Sequence, residues 1–244
     1  LGLCPFHNEK TPSFTVSPTK GIYKCFGCGE GGNSVSFLMD KEHYNYPEAL
    51  KYLAKKYNIE IEEEEMTSEQ TQIANEKDSL YILSTFANTF FIKSLWEKEE
   101  GQNIGLSYFK ERGFNKEIIK KFELGYSPKN QSALFNEAIN NSFDKEVFLK
   151  SGLGFKVNDK VIVDRFKDRV MFPIHSFSGR ILGFGGRALS KNAKAKYQNS
   201  PESSIYNKSK VLYGIFFAKN QISKLDNCYI VEGYTDVLAM HQKG

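Results

Sequence analysis

The chain has 244 residues, 25% of them charged and 40% hydrophobic, the balance of a globular protein with room for one large or two modest domains. No apolar run approaches the roughly 18–20 residues of a membrane span. The most apolar stretch, residues 81–96, is interrupted by Ser84, Thr85, Asn88, Thr89 and Lys93, which excludes a helical membrane protein. The net charge of +4 conceals an asymmetry: residues 165–219 carry eleven Lys or Arg against two acids, a local +9 that leaves −5 for the remainder. A basic block in an acidic chain points to a polyanionic partner or to a solvated cationic surface.

In chain order, residues 11–16 and 21–26 alternate aromatic or β-branched residues with polar ones around Pro18-Thr19-Lys20-Gly21, the pattern of a hairpin. A helix capped by Asn33 or Ser34 follows, with Val35, Phe37 and Leu38 inward. Another begins at Tyr46-Pro47 and carries Ala49, Leu50, Leu53, Ala54 and Tyr57 at helical spacing, ending near Asn58. These elements make a first domain over 1–65. The Glu-rich, polar stretch 66–78 is expected to be a linker. A second domain, 79–225, opens with a long helix from near Lys77 through Leu80, Leu83, Phe86, Ala87, Phe90, Phe91 and Leu95. Shorter helices are expected at 104–111, 116–122, 132–140 and 145–150, before the period changes to that of strands at 161–163, 169–175, 180–184 and 196–198. A helix at 213–220, a strand at Cys228 to Val231 and a final helix from Thr235 or Asp236 complete the pattern, so 226–244 reads as the opening of an α/β layer. Leu1 is not an initiator Met, and the chain stops at Gly244 soon after a helix is launched. It is therefore expected to be a piece of a longer protein.

Cys4, Cys25 and Cys28 crowd the beginning of the chain, while Cys228 stands far from them; metal binding in a reducing compartment fits this better than a disulfide framework. Cys4-Pro5-Phe6-His7 and Cys25-Phe26-Gly27-Cys28 are a C-x2-H and a C-x2-C pair with 17 residues between them. Three thiolates and one imidazole at knuckle spacing close a tetrahedral Zn2+ shell with no position for water, a structural site. Such zinc contributes roughly 10–16 kcal/mol to the folding of a small module. Cys228, inside an apolar run, is expected to be a core thiol, and His43, His175 and His241 have no partners at ligand spacing. Phe6, Phe14, Tyr23 and Phe26 near Lys10, Lys20 and Lys24 are either a platform for single-stranded nucleic acid or the core of the hairpin.

In the basic block, Arg165, Lys167 and Arg169 would share one face if the segment were a strand. Gly183-Phe184-Gly185-Gly186-Arg187 is expected to be a flexible loop whose amides can approach an anion. Lys194, Lys196, Asn199, Ser200, Lys208 and Lys210 continue the positive surface, a mixture suited to phosphate backbones. Glu232 ends the apolar run 229–231 ahead of Gly233 and Asp236. It stands where ligands meet α/β sheets and could hold Mg2+ or move a proton; the alternative is a helix start whose dipole Asp236 neutralises.

The run Cys4 to Phe14 with Cys25 and Cys28, the segments Asp164 to Pro173 and Gly183 to Arg187, the string Lys196-Tyr197-Gln198-Asn199-Ser200-Pro201-Glu202, and Val231 to Val237 together resemble the bacterial DNA primases, in that family's order over nearly the whole chain. The resemblance implies an α+β protein: an N-terminal zinc ribbon of β-hairpin and helices, then a mixed α/β RNA polymerase domain with a truncated toprim subdomain. It implies that Arg165, Arg169, Arg187, Lys196, Asn199 and Lys208 line a basic groove for template or nucleotide. It further implies that Glu232, assisted by Asp236, binds Mg2+ or Mn2+ for phosphodiester formation. The implied partners are single-stranded DNA template, ribonucleoside triphosphates, the RNA primer product and a replicative helicase engaged through a C-terminal domain absent from this sequence, in the cytoplasm at the bacterial replisome and not at a membrane. The aspartates of the later toprim strands lie beyond Gly244 in that scheme, so these residues alone are expected to bind zinc without making primers. Two other readings stay open, a non-catalytic zinc-ribbon protein that grips single strands and a phage or plasmid primase–helicase.

Overall fold

The computed structural model describes residues 1–61, 67–190, 193 and 195–244. The chain divides into two units, Leu1–Met66 and Thr67–Gly244. No helix among the described residues is long and apolar enough to cross a membrane.

In the first unit, β1 (Phe14–Ser17), β2 (Ile22–Cys25) and β3 (Gly31–Asn33) form an antiparallel sheet in the order β1-β2-β3. Phe14 faces Cys25 and Ser17 faces Ile22 in the expected hairpin, and β3 is an addition that the glycine-rich sequence concealed. The helix α1 (Ser34–Lys41) starts where Asn33 accepts the Ser36 N–H at 2.9 Å, and α2 (Tyr46–Tyr57) starts in a capping box between Asn45 and Glu48. Phe14 and Tyr23 are buried and stack at 5.3 Å, with Phe6 and Phe37 closing the cluster. Three of the four rings considered as a nucleic-acid platform therefore lie in or against the hairpin's core, and only Phe26, 76% exposed, stands clear of it.

The second unit opens with α3 (Ser68–Glu97), which begins well before Lys77. Thr67 accepts the Gln70 N–H at 3.2 Å and Gln70 reaches back to Thr67 at 2.9 Å, so most of the expected linker is helix. Met66, and the glutamates 62–65 before it, lie outside the described residues. The first turns of α3 carry no apolar stripe because they are exposed; burial starts at Leu80 and continues through Leu83, Ala87, Phe91 and Leu95. A π-helical turn, Gly101–Leu106, leads into α4 (Ser107–Glu111) and α5 (Lys116–Lys121). Then come β4 (Gly125–Ser127), α6 (Ala133–Asn140) and α7 (Lys145–Lys150), the hairpin of β5 (Gly154–Asn158) with β6 (Val161–Asp164), and β7 (Arg169–His175). The remaining elements are β8 (Ile181–Ala188), β9 (Tyr197–Asn199), α8 (Ile215–Leu225) and α9 (Tyr234–Lys243).

The main sheet has the order β4-β7-β8-β9, with every pairing antiparallel. Alternate residues of β7 enter different cores: Met171 joins Phe91, Phe148 and Phe184, whereas Val170 and Phe172 join Phe109, Phe122 and Tyr126. The strand is buried on both faces, which is why its sequence reads as a continuous apolar run rather than an alternation. One expectation fails here and one condition is not met. Residues 165–168 are not a strand: β6 ends at Asp164 and the chain turns through Asp168 at φ 52° before β7 begins. Residues 228–231 are not a strand either, and Tyr229 and Ile230 are 72% and 84% exposed. No described strand lies beside them to take their backbone hydrogen bonds, and strand propensity without a partner does not make a strand. Cys228 is accordingly an exposed thiol rather than a core residue.

Candidate functional site

The ligand atoms of Cys4, His7, Cys25 and Cys28 lie within 4.8 Å of one another. Thiolates bound at about 2.3 Å to a tetrahedral ion are separated by about 3.8 Å, and Cys4 Sγ and Cys28 Sγ are 3.8 Å apart. The donor set and its spacing fit Zn2+. Backbone N–H groups of Phe6 and Cys28 point at the sulfurs of Cys4 and Cys25, at 3.3 and 3.4 Å. Gly29 turns the second knuckle at φ +84°, and a Cβ on Gly27 would come within 2.7 Å of Ser13 Oγ and 2.9 Å of His7 Nε2.

Glu9 and Ser13, which motif spacing did not single out, organise this centre. Glu9 accepts the N–H groups of Cys4 at 2.8 Å and Ser13 at 3.0 Å, and its other oxygen meets Ser13 Oγ and His7 Nε2, the latter at 3.2 Å. His7 Nδ1 meanwhile faces Cys25 Sγ at 3.8 Å. A carboxylate on Nε2 leaves Nδ1 as the metal-facing nitrogen, the usual way a protein orients a ligating imidazole. Ser13 Oγ also lies 3.2 Å from Cys25 Sγ. Burial raises the Cys25 thiol, but hydrogen bonds from Ser13 and Cys28 outweigh it and hold the group down at about 6, while burial pushes Cys28 up to about 11.

In the second unit the sequence-predicted cations separate into two groups. Arg169 is buried and directs its guanidinium at the carbonyls of Ala195, Gly186 and Lys196, at 2.9, 3.4 and 3.4 Å, pinning the approach to β9 onto β8. Arg165 donates to the Gly152 carbonyl at 2.7 Å and lies over Phe155. The shared face that Arg165, Lys167 and Arg169 would have had in a strand does not form, because the chain bends at 165–168 and both arginines donate to backbone carbonyls. Arg187, Lys196 and Lys208 remain outward, Lys194 lies outside the described residues, and Ser200 is buried, its hydroxyl accepting the Phe184 N–H.

The glycines of Gly183 to Arg187 are not a flexible loop. They form the middle of β8, buried and paired with β7. A Cβ at Gly183 would meet Ser200 at 3.1 Å, at Gly185 the Tyr234 ring at 2.2 Å, and at Gly186 Phe166 at 2.7 Å, so close packing demands them. The Tyr234 ring thus lies on the sheet, and its hydroxyl donates to Asn199 Oδ1 at 3.0 Å, tying the turn after Glu232 to β9. Glu232 itself is exposed and accepts no hydrogen bond among the described residues. Asp236 accepts the Gly233 N–H at 3.1 Å at the start of α9.

Around Arg187 the structure adds residues that charge counting missed, because they come from α4, far upstream of the basic block. The Arg187 guanidinium carbon is 4.5 Å from the Tyr108 ring centroid and 5.8 Å from that of Tyr197, and its Nε donates to Tyr197 Oη at 3.3 Å. Arg112 lies 5.5 Å from the same Tyr108 ring. Exposed cations interleaved with aromatic faces are what single-stranded nucleic acid binds.

Comparison with known proteins gives the family of both units. Residues 1–69 match the CHC2 zinc finger, and residues 90–219 match the N-terminal domain of the DNA primase catalytic core. A DNA primase of Clostridium acetobutylicum is 41% identical over 246 residues, covering 100% of this chain and 39% of that protein. The chain spans about two fifths of the length of the curated relatives it matches. The crystal structure of the zinc-binding and RNA polymerase domains of Aquifex aeolicus primase is 35% identical with a TM-score of 0.61, covering 96% of this chain and 55% of that one. A structure of a DnaG primase catalytic domain bound to single-stranded DNA is 34% identical with a TM-score of 0.63, covering 69% of this chain and 52% of that one.

Proposed function

The chain belongs to the bacterial DNA primase family, and from that premise we propose that the whole protein copies single-stranded DNA into short RNA primers at the replication fork in the cytoplasm, as a nucleotidyltransferase. The observation that carries this reading is the presence in one chain, in family order, of a CHC2 zinc centre and the N-terminal part of a primase catalytic core. The relative solved with single-stranded DNA supports a DNA template. Ribonucleoside triphosphates are the other substrates, and a replicative helicase delivers the protein to its template.

The roles fall to residues as follows. The zinc ribbon, stabilised by its metal, engages template through its exposed cations and Phe26. Arg187, Lys196 and Lys208 meet phosphates, while Asn199 stays oriented by the Tyr234 hydroxyl. Arg169 and Arg165 hold the backbone that presents them. Glu232, exposed and free of hydrogen bonds among the described residues, suits a hard cation. Bound there with further carboxylates, Mg2+ or Mn2+ would lower the barrier to phosphodiester formation by stabilising charge on the reacting oxygens. Asp236 fixes the first turn of α9 and hence the direction in which Glu232 points.

The test is Glu232→Gln in the whole protein. Primer synthesis should fall by at least about a hundredfold while single-strand affinity, measured by fluorescence anisotropy, stays within about twofold. Near-normal synthesis would remove Glu232 from the reaction.

A further inference from the structure

The helix that follows Glu232 is seated at three points along its length. At the start of α9 the Tyr234 ring lies against β8 at Gly185, and its hydroxyl donates to Asn199 Oδ1 at 3.0 Å. In the middle Leu238 is buried in the core that holds Phe122 and Phe172, and Val237 packs so closely that a Cβ on Gly214 would come within 2.6 Å of it. At the end Gln242 reaches the loop between α4 and α5. Its Nε2 donates to the Gly113 carbonyl and its Oε1 accepts the Asn115 N–H, each at 2.9 Å. Apolar contacts are non-directional, and the Tyr234 hydroxyl fixes one point, about which a helix can still swing. The Gln242 carboxamide offers a donor and an acceptor in one plane and matches both to main chain, so it fixes the far end in direction as well as in place. The loop it grips is firm at those atoms: Gly113 turns at φ 79°, and Asn115 accepts the Ile118 N–H at 2.8 Å as the cap of α5.

We propose that Gln242 is a positioning residue for the reaction: by tying the far end of α9 to the main chain of residues 113–115, it sets the tilt of the helix and so the direction of the Glu232 carboxylate. The inference deepens the reading of Glu232 as a carboxylate of the reacting centre and rests on it. Gln242 touches no substrate, standing roughly 13 Å of helix away from Gly233. Tyr234 is the pivot, and Glu232 lies on its other side, so a helix released at Gln242 turns Glu232 with it. A misplacement of about 1 Å at a reacting centre costs on the order of a hundredfold in rate. Two exposed hydrogen bonds that add little to stability can therefore still govern turnover.

The test is Gln242→Met in the whole protein, which keeps the length and helix propensity of the side chain and removes both hydrogen bonds. Lys243→Met, at the exposed next position, is the control. Primer synthesis is followed at varied ribonucleotide concentration, and single-strand affinity by fluorescence anisotropy. The surroundings of Tyr234 are read from its fluorine magnetic resonance signal in protein labelled with 3-fluorotyrosine, assigned by its loss in Tyr234→Phe. In Gln242→Met, kcat should fall about tenfold while KM and single-strand affinity stay within about twofold and the Tyr234 signal moves. On a Glu232→Gln background Gln242→Met should add no further fall, and Lys243→Met should leave every measurement as in the wild type. Unchanged kcat, an unmoved Tyr234 signal, a fall in kcat matched by lost single-strand affinity, a Gln242→Met protein that no longer folds, the same effects from Lys243→Met, or an equal further fall without the Glu232 carboxylate overturns the inference while the reading of Glu232 stands. Near-normal synthesis by Glu232→Gln overturns both.

Discussion

At the scale of single residues, environment and not residue type sets the role. Arg169 and Arg187 lie at the same end of the paired strands β7 and β8 and look alike in a charge count, yet one is spent on backbone carbonyls and the other is half-buried between two tyrosines. Asp164 shows the same principle with the opposite charge. It is 4% exposed at the end of β6, and its carboxylate accepts the N–H groups of Leu134 at 2.8 Å and Phe135 at 3.0 Å as α6 begins. Burial pushes its carboxyl up to about 6 although those hydrogen bonds pull the other way. A carboxyl raised in the folded state holds its proton more tightly there than in the unfolded chain. The folded state is therefore favoured most below the ordinary carboxylate range, and stability declines as pH rises through about 6. Thermal unfolding of the wild type and of Asp164→Asn should show the wild type losing stability relative to the variant between about pH 4 and pH 7. A difference that is constant with pH, or that grows in the wild type's favour, would contradict the assignment.

At the scale of elements, the glycines of β8 carry the clearest consequence. Gly185 leaves room for the Tyr234 ring, and a methyl group there would sit 2.2 Å from a ring carbon. Gly185→Ala should cost roughly 1–3 kcal/mol through overpacking. Adding Tyr234→Ala should make the double variant more stable than the sum of the two single changes, because the clash is then gone. Denaturant unfolding of the four chains measures this, and strict additivity would show that the ring does not press on the strand. The same strand marks the limit of what sequence reveals. Local signals located most elements: Asn33 as a cap, Pro47 in the first turn of α2, the Pro18 turn and the apolar run of β7 are properties of a few adjacent residues. The glycines at 183–186 look like a loop because their partners, Tyr234, Ser200 and Phe166, are distant in sequence. The start of α3 was hidden for a different reason, since an exposed helix has no apolar stripe; its Thr67/Gln70 capping box was the signal that could have found it.

At the scale of the whole molecule, the two units draw stability from different sources. The first has a small aromatic core beside a metal centre, and the second has a sheet buried on both faces. Zinc chelation should therefore unfold residues of the first unit while the second keeps its own cooperative transition, to be read as the loss of hairpin signals but not of β7 and β8 signals in a nuclear magnetic resonance spectrum. Simultaneous loss of both sets would contradict this division. The zinc ligands were legible because their chemistry fixes their spacing; the Arg187 face was only half legible, because Tyr108 and Arg112 join it through the fold rather than through neighbouring sequence. The double burial of β7 and β8 carries one more consequence. Their amides, closed off from water on both sides, belong to the part of the molecule that exchanges hydrogen only when the entire unit opens. Arg187 is rooted in that slowly opening segment, so its place beside Tyr108 and Tyr197 should survive the fraying of loops and termini and disappear only with the fold itself.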